Sequence, residues 1–452
     1  MKKGFLYILL CIAGFASAQN SLTQTPLVSP KHDFIRCVNM EDYELQLQKQ
    51  DPTRKARRDA AVKMMNDWIA NRKLNHKPDS VIQYTIPVVF HVLWNSASPK
   101  EQISLAQIKR QVKVMNDDYN RLNSDTTATP KAFQPVAENF HITFCLAQTD
   151  PNGKLTTGVV YKQTSTTAFS NTNNGAKRPS LGGDTAWDPD QYLNIWICNL
   201  SGGLLGYSEF PTTPLDNTFG SVILYQAVGD SGYLPIPAYN LGRTITHEVG
   251  HLLNLHHPWG DDGGLCPGSG GVDDGAADTP PEGNNKSDGY GDGGGPTFGC
   301  PPFPYVDNCS TTAPGIMIEN YMEYTNDSCM NLFTQDQYTI ALATINGPLA
   351  KLVKSATCMA PNSIEEYTFT SSVNIYPNPS AGIFTINISL TDLRRINMEV
   401  LNVLGQTVAI WNSNKAANNN YSLDLSGQPN GLYFVKITDG TFSTVKKIMI
   451  SR

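Results

Sequence analysis

The sequence predicts a mixed α/β domain followed by a small all-β, sandwich-like domain. Between residues 84 and 227, short β-rich runs surround a strongly periodic helical run. From residue 372 the pattern becomes brief alternating strands separated by turns, which is typical of a sandwich. A chain of 452 residues is long enough to build both domains.

Charge and hydropathy point neither to a nucleic-acid partner nor to a membrane span. The net charge of −6 gives no indication of a nucleic-acid partner or of an anionic membrane surface. Beyond the N-terminus, no segment is long and apolar enough to predict a transmembrane helix.

The N-terminus predicts a signal peptide over residues 1–18. Two lysines precede an apolar run over 5–15, and Ala16-Ser17-Ala18 forms a small-residue cleavage site. The alternative is an uncleaved anchor, but the apolar run is too short to span a bilayer. Export through the general secretory route makes the cysteines that remain in the mature chain candidates for disulfides.

Changes in composition divide the rest of the chain. Residues 19–82 are polar and charged, with one helix expected from about Asp42 to Leu74, and their place ahead of the α/β domain suggests a propeptide. The α/β domain is predicted over 83–358, a linker over 359–371 and the all-β domain over 372–452.

Apolar periodicity predicts the elements of the α/β domain. Leu105, Ile108, Val112 and Met115 recur at helical spacing within 104–119. Strands are expected at 86–93, 141–148, 158–164, 192–198 and 221–227.

A helix beginning near residues 244–246 carries a candidate metal site. His247 and His251 are four residues apart, so one helical face presents both imidazoles, which are natural zinc ligands. Glu248 would lie beside the metal as a proton acceptor, and His257 would supply the third ligand.

The third histidine can reach the metal only if the helix ends and the chain turns back. Asn254 stands at that turn, and asparagine enters the left-handed conformation more readily than most residues other than glycine. Pro258 prevents the helix from resuming, and His256 would point elsewhere. The alternative is chance placement of histidines on an amphipathic helix, which a third histidine at this offset disfavours.

The segment GRTITHEVGHLLNLHHPWG (242–260) resembles the metzincin metallopeptidases, and within them the pappalysin (cytophagalysin) family. LGYSEFP (205–211) and the segments around Met322 and Cys329 are also similar to that family. The resemblance implies that Met322 is the Met-turn methionine beneath the zinc ligands and that Tyr324 stabilises the tetrahedral oxyanion. Asn254 departs from the family motif, which has glycine there.

The resemblance implies a metzincin-like zincin fold and a secreted zinc endopeptidase that cleaves extracellular proteins or peptides. A zinc-activated water would attack the peptide bond, with Glu248 as general base. It also implies that the disulfide-tied loop and the segment before Met322 form the pocket for the residue after the scissile bond. The alternatives are a catalytically inactive zinc-containing surface adhesin and a metallohydrolase acting on a non-peptide substrate.

Four cysteines lie in or just beyond a long Gly- and Asp-rich loop over 260–315, and sequence alone allows three pairings among them. The resemblance implies the pairs Cys266–Cys309 and Cys300–Cys329. Cys145 and Cys198 could pair with each other or remain buried thiols, and Cys358 has no assigned partner.

The same loop contains VDDGAADTP (272–280), which is similar to the family's calcium-binding segment. The resemblance implies a calcium ion bound by Asp274, the Ala277 carbonyl and Thr279, since oxygen ligands on a flexible loop suit Ca²⁺. A solvated acidic turn is the alternative.

The propeptide contains two candidates for keeping a zinc enzyme latent. A Cys37 thiolate or an Asp42 carboxylate could occupy the open zinc position. A structural disulfide is an equal alternative for Cys37.

The C-terminal domain contains IYPNPSAGIFTI, LNVLGQTV, NGLYFVKI and a basic ending. In this order the segments resemble the sorting domain read by the type IX secretion translocon, which implies release outside the cell or attachment to its surface. The alternative, a carbohydrate- or surface-binding module, would be expected to show an exposed aromatic cluster.

Overall fold

The computed structural model describes residues 34–75, 82–230, 232–233, 236–283, 290–291, 295–359, 373–388, 394–416, 419–438 and 443–452. The predicted signal peptide and almost all of the predicted linker lie outside these residues. The helices are α1 (Met40–Gln50), α2 (Arg54–Asn75), α3 (Leu105–Tyr119), α4 (Arg243–Leu252) and α5 (Gln335–Asn346). The strands are β1 (Tyr84–Asn95), β2 (Ala137–Glu138), β3 (Ile142–Leu146), β4 (Val159–Thr164), β5 (Leu193–Cys198), β6 (Gly206–Tyr207), β7 (Gly220–Leu224), β8 (Phe333–Thr334), β9 (Val373–Tyr376), β10 (Ile383–Ile388), β11 (Arg394–Asn402), β12 (Thr407–Ala416), β13 (Asn419–Asp424), β14 (Gly431–Thr438) and β15 (Ser443–Ile450).

A mostly parallel sheet forms the centre of the α/β domain. Its strand order is β3-β1-β5-β7-β6, with β4 also paired to β1. Strand β1 is almost continuously buried, as expected for a parallel strand that is covered on both faces. Only β6 runs antiparallel to its neighbour, and it lies at the edge of the sheet. The prediction of a mixed α/β domain is therefore confirmed.

The helix that precedes the sheet is two helices, so the expectation of one helix from Asp42 to Leu74 is wrong. Helix α1 ends at Gln50, and α2 begins at Arg54. Pro52 has no amide hydrogen to donate and forces the preceding Asp51 out of the helical region, to φ −131° and ψ 99°.

The C-terminal domain consists of two antiparallel sheets, with orders β13-β10-β9 and β12-β11-β14-β15. Alternate side chains, among them Phe384, Ile386, Val400, Val435 and Ile448, form its buried core. The all-β prediction is confirmed, because alternation in each strand marks the face that is buried.

Disulfides join distant parts of the α/β domain. Cys266 is bonded to Cys309 and Cys300 to Cys329, the pairing that the resemblance implies. Cys145 of β3 is bonded to Cys358, 213 residues later, so its pairing with Cys198 is excluded. Cys198 remains a buried free thiol. None of the described helices is both long and apolar enough to cross a bilayer.

Candidate metal centre and active site

Helix α4 positions the first two histidines. His247 and His251 are one turn apart and fully buried on the same face of the helix. Met322 packs against this helix, with its Sδ atom so close to Gly250 that any side chain at residue 250 would collide with it. Met322 thus packs directly against α4 at the residue that precedes His251.

A left-handed residue then reverses the chain. Asn254 has φ +68°, and the amide of Leu255 donates to the carbonyl of Gly250 at 2.9 Å. This is the turn expected at Asn254, and it returns His257 to the face of α4 that carries the other histidines.

The three imidazoles meet through their Nε2 atoms, which lie 3.1 to 3.2 Å from one another. The Nδ1 atoms bond to the carbonyl of Tyr321 (from His247), the carbonyl of Leu255 (from His251) and the Asp261 carboxylate (from His257), at 2.7 to 2.8 Å. Since a carbonyl oxygen can only accept, Nδ1 carries the proton in the first two rings, and their Nε2 lone pairs point inwards.

Three converging lone pairs repel one another unless a cation lies between them. Burial, together with the neighbouring imidazoles, holds the pKa of His247 and of His251 well below 6.5, so both rings are neutral. Neutral imidazoles with the second nitrogen fixed by a carbonyl or carboxylate are the usual environment of Zn²⁺. The donor set fits a zinc ion.

Glu248 follows the first histidine and is fully buried. Burial raises the pKa of Glu248 to about 8, and the neighbouring Ser208 hydroxyl and Cys37 thiol oppose that shift. Gly206 makes room for it, because a Cβ atom on residue 206 would lie 2.7 Å from its Oε1. A carboxylate with a pKa near neutrality is suited to accept and return a proton.

The Tyr324 ring lies close to the rings of His247 and His257. Its ring centroid is 5.1 Å from that of His257 and 5.8 Å from that of His247. Its hydroxyl donates to the carbonyl oxygen of Cys37 at 2.6 Å, so the phenol already holds a peptide carbonyl beside the metal centre.

The predicted propeptide supplies a fourth donor. Cys37 is 1% exposed, and its ligand atom and those of the three histidines all lie within 4.8 Å of one another. Asp42, the other latency candidate, is exposed in the first turn of α1 and is not part of this donor group. The structure therefore brings Cys37, but not Asp42, to the metal centre.

Arg36, beside that cysteine, fills a closed pocket. Its guanidinium lies 2.9 Å from the Asp327 carboxylate, donates to the carbonyl of Thr325 at 2.7 Å and stacks over the Tyr239 ring. Both charged side chains are completely buried. The backbone of Arg36 also accepts from the amide of Gly206 at 3.1 Å, so this segment lies along edge strand β6.

Comparison with known proteins agrees with this geometry. Residues 182–345 match the family model described as pregnancy-associated plasma protein-A. Extracellular metalloprotease 1 of Coccidioides posadasii is 32% identical over 263 residues, 56% of this chain and 74% of the relative. An extracellular metalloprotease of Uncinocarpus reesii is 30% identical over 270 residues, 58% of this chain and 76% of the relative.

This chain belongs to the pappalysin family of zinc metallopeptidases.

Solved structures are similar to this pappalysin over the same region. Mature mirolysin of Tannerella forsythia in complex with a cleaved peptide is 42% identical, covers 63% of this chain and all of the other, and has a TM-score of 0.56. A promirolysin mutant is 39% identical, covers 72% of this chain and 99% of the other, and has a TM-score of 0.59. The protein is a zinc metalloendopeptidase, as its sequence predicts.

The C-terminal domain directs export. Residues 374–451 match the secretion system C-terminal sorting domain. The pappalysin is therefore exported by type IX secretion, to the medium or the cell surface, and the prediction of its localisation is confirmed.

The structure brings Asp274 and Thr279 of the predicted calcium segment into contact. Asp274 and Thr279 are buried, and the Thr279 hydroxyl donates to the Asp274 carboxylate at 2.8 Å. The Ala276 carbonyl accepts from the same hydroxyl, whereas Ala277 donates its amide to Asp336 at 3.1 Å. Burial raises the pKa of Asp274 well above its ordinary value. A calcium ion here stays a prediction of the resemblance.

Sequence reasoning did not identify Asp261, Arg36 or Asp327, which hold other residues of the site in place. Asp261 orients His257, and its place four residues later was a usable signal, because metal-binding histidines commonly donate to a carboxylate. Arg36 and Asp327 carry no local signal. His256 lies outside the donor group, with its ring stacked on Phe210 at 4.3 Å between centroids.

Residue 254 provides a test of the turn. Asn254→Val should weaken zinc binding roughly 10-fold, because a β-branched residue resists positive φ and would displace His257. Chelator competition measures this affinity.

Asn254→Gly is the matched control. The Asn254 side chain accepts from Arg58 of helix α2 at 2.5 Å, and both substitutions lose that bond, but glycine keeps the turn. If valine left zinc affinity unchanged, His257 would not depend on the left-handed turn.

Proposed function

We propose that this pappalysin is made as a latent precursor and, after release of its propeptide, hydrolyses peptide bonds of extracellular proteins. Zinc would be held by His247, His251 and His257. The convergence of their three Nε2 atoms beside a buried glutamate is the observation that carries the proposal.

When bound there, zinc supplies Lewis-acid polarisation of the scissile carbonyl and of the attacking water. Glu248 takes a proton from that water and delivers it to the leaving amine, in keeping with its raised pKa and its position next to His247. Tyr324 donates to the carbonyl oxygen as negative charge develops there. Its present bond to the Cys37 carbonyl supports this role.

In the precursor, Cys37 would occupy the position that the water needs. Burial raises the pKa of the Cys37 thiol well above its ordinary value, but a bound divalent cation favours the thiolate. Arg36 anchors this segment through its buried ion pair with Asp327. Latency therefore depends on a sulfur ligand and an adjacent arginine.

The same arginine indicates a substrate preference. Asp327 is two residues from Cys329, whose disulfide with Cys300 ties the loop that the family resemblance places at the pocket for the residue after the scissile bond. A buried carboxylate that holds a guanidinium in the precursor would hold an arginine or lysine side chain of a substrate in the processed enzyme.

Glu248→Ala should lower the rate of casein cleavage by roughly 10²- to 10⁴-fold, because the water loses its proton acceptor. Zinc content, measured on the same sample, should stay equimolar, since Glu248 is not a ligand. Cleavage at the wild-type rate by this variant would contradict the mechanism.

Cys37→Ser should give an unprocessed precursor that already cleaves peptide, because a serine hydroxyl is a poor replacement for a thiolate ligand. Activity is compared with the wild-type precursor before any propeptide is removed. Cys198→Ser, which changes the other buried free thiol, is the control and should remain latent. A Cys37→Ser precursor as inactive as wild type would exclude the sulfur ligand.

Asp327→Asn should lower kcat/KM of the processed enzyme roughly 10- to 100-fold for peptides with arginine after the scissile bond. The reason is that the substrate guanidinium would lose its carboxylate partner. Matched peptides with leucine at that position should be affected much less. An unchanged arginine-to-leucine ratio would show that Asp327 does not select the substrate.

A further inference from the structure

The first turn of helix α2 inserts a second buried arginine into the peptidase domain. Arg54 is 2% exposed, and its guanidinium contacts the Asp216 carboxylate and lies 3.5 Å from that of Glu209. It also donates to the carbonyl of Phe210 at 3.3 Å. Glu44, within the propeptide itself, completes the set at 2.8 Å.

One helical turn later, a second guanidinium binds the same surface. Arg57 lies 2.6 Å from the Asp216 carboxylate and donates to the Thr212 hydroxyl at 3.2 Å and to the Pro214 carbonyl at 3.3 Å. The peptidase domain thus offers carboxylates, a hydroxyl and carbonyls to arginine side chains that leave with the propeptide. These groups are acceptors of the kind that a guanidinium or an ammonium requires.

Removal of the propeptide would leave this site with excess negative charge. Glu209 is 1% exposed, and Lys177 binds its Oε1 at 2.5 Å. Its Oε2 has no hydrogen-bond partner in the described part of the chain and faces Arg54. Lys177 can balance one carboxylate, whereas Glu209 and Asp216 together carry two. Two carboxylates that share one lysine attract a further cation.

The chain passes from the Arg36 segment, past the metal centre, to this site. Residues 206–210 begin with edge strand β6. Gly206 bonds to the backbone of Arg36, and Ser208 lies beside Glu248. The Phe210 ring is 5.9 Å from that of His251. Glu209 lies between Ser208 and Phe210 in the chain. A peptide that crosses the metal centre with a basic residue in the Arg36 pocket would extend its other half towards Glu209 and Asp216.

We propose that Glu209 and Asp216 form a second cation-binding subsite of the processed enzyme, which takes an arginine or lysine side chain on the N-terminal side of the scissile bond. The inference rests on the proposed function, since it requires a released propeptide and a peptide substrate. Arg54 and Arg57 occupy the subsite in the precursor.

The test uses the zinc-loaded enzyme after propeptide removal and synthetic peptides with arginine fixed after the scissile bond. In each pair, one position two, three or four residues before the bond is arginine or glutamine. At one of these positions we expect kcat/KM for the arginine peptide to be about 3- to 10-fold higher, with the ratio falling as salt is added. Asp216→Asn and Glu209→Gln should each bring the ratio close to one.

Asp117→Asn is the matched control, because it removes an equal charge from an exposed ion pair on helix α3 and should leave the ratio intact. If Glu209→Gln fails to fold, Asp216→Asn decides, since that side chain is 16% exposed even beneath the propeptide. A ratio near one at all three positions in the wild-type enzyme, or an unchanged ratio in Asp216→Asn, overturns the subsite. Chelator-sensitive cleavage of the glutamine peptides by the wild-type enzyme shows separately whether the proposed peptidase function holds.

Discussion

The structure depends on three imidazole nitrogens being held against one another. Nε2 lone pairs 3.1 to 3.2 Å apart repel, so their arrangement persists only because the surroundings fix each ring. Helix α4 supplies two rings, the left-handed Asn254 returns the third, and carbonyl or carboxylate acceptors hold every Nδ1. Because the hydrogen bonds already hold each ring in place, no histidine has to be reoriented when a zinc ion binds, and this favours tight binding.

Buried apolar side chains such as Met40 and Tyr43, together with ion pairs, hold residues 34–65 against the peptidase domain. Arg36 and Arg54 reach carboxylates that are buried, and Arg58 donates to the turn at Asn254. Buried charge pairs add specificity through geometry more than they add net stability, because desolvation offsets much of the attraction. If residues 19–82 are released as proposed, the buried carboxylates of Asp327 and Glu209 lose their arginine partners.

Local pattern was enough to predict that His247, His251 and His257 converge, because helical spacing and one turn fix their geometry. Five of the six strands of the central sheet were predicted from runs of apolar residues, whereas the two-residue strand β6 was not. The break at Pro52 was missed although proline is a strong local signal, because the charged pattern on either side continues at helical spacing. No local pattern predicts the Cys145–Cys358 disulfide or the Arg36–Asp327 ion pair, because the partners are 213 and 291 residues apart in the chain. Contacts at that separation depend on the fold as a whole.

In the proposed precursor, one zinc ion is bound by three histidines and by the sulfur of Cys37. Zinc-edge X-ray absorption of the unprocessed full chain tests this most directly. The predicted spectrum contains nitrogen scatterers at about 2.0–2.1 Å and one sulfur at about 2.3 Å, and the sulfur disappears after processing. A precursor whose zinc shows only nitrogen and oxygen neighbours, or which binds no stoichiometric zinc, would contradict the account.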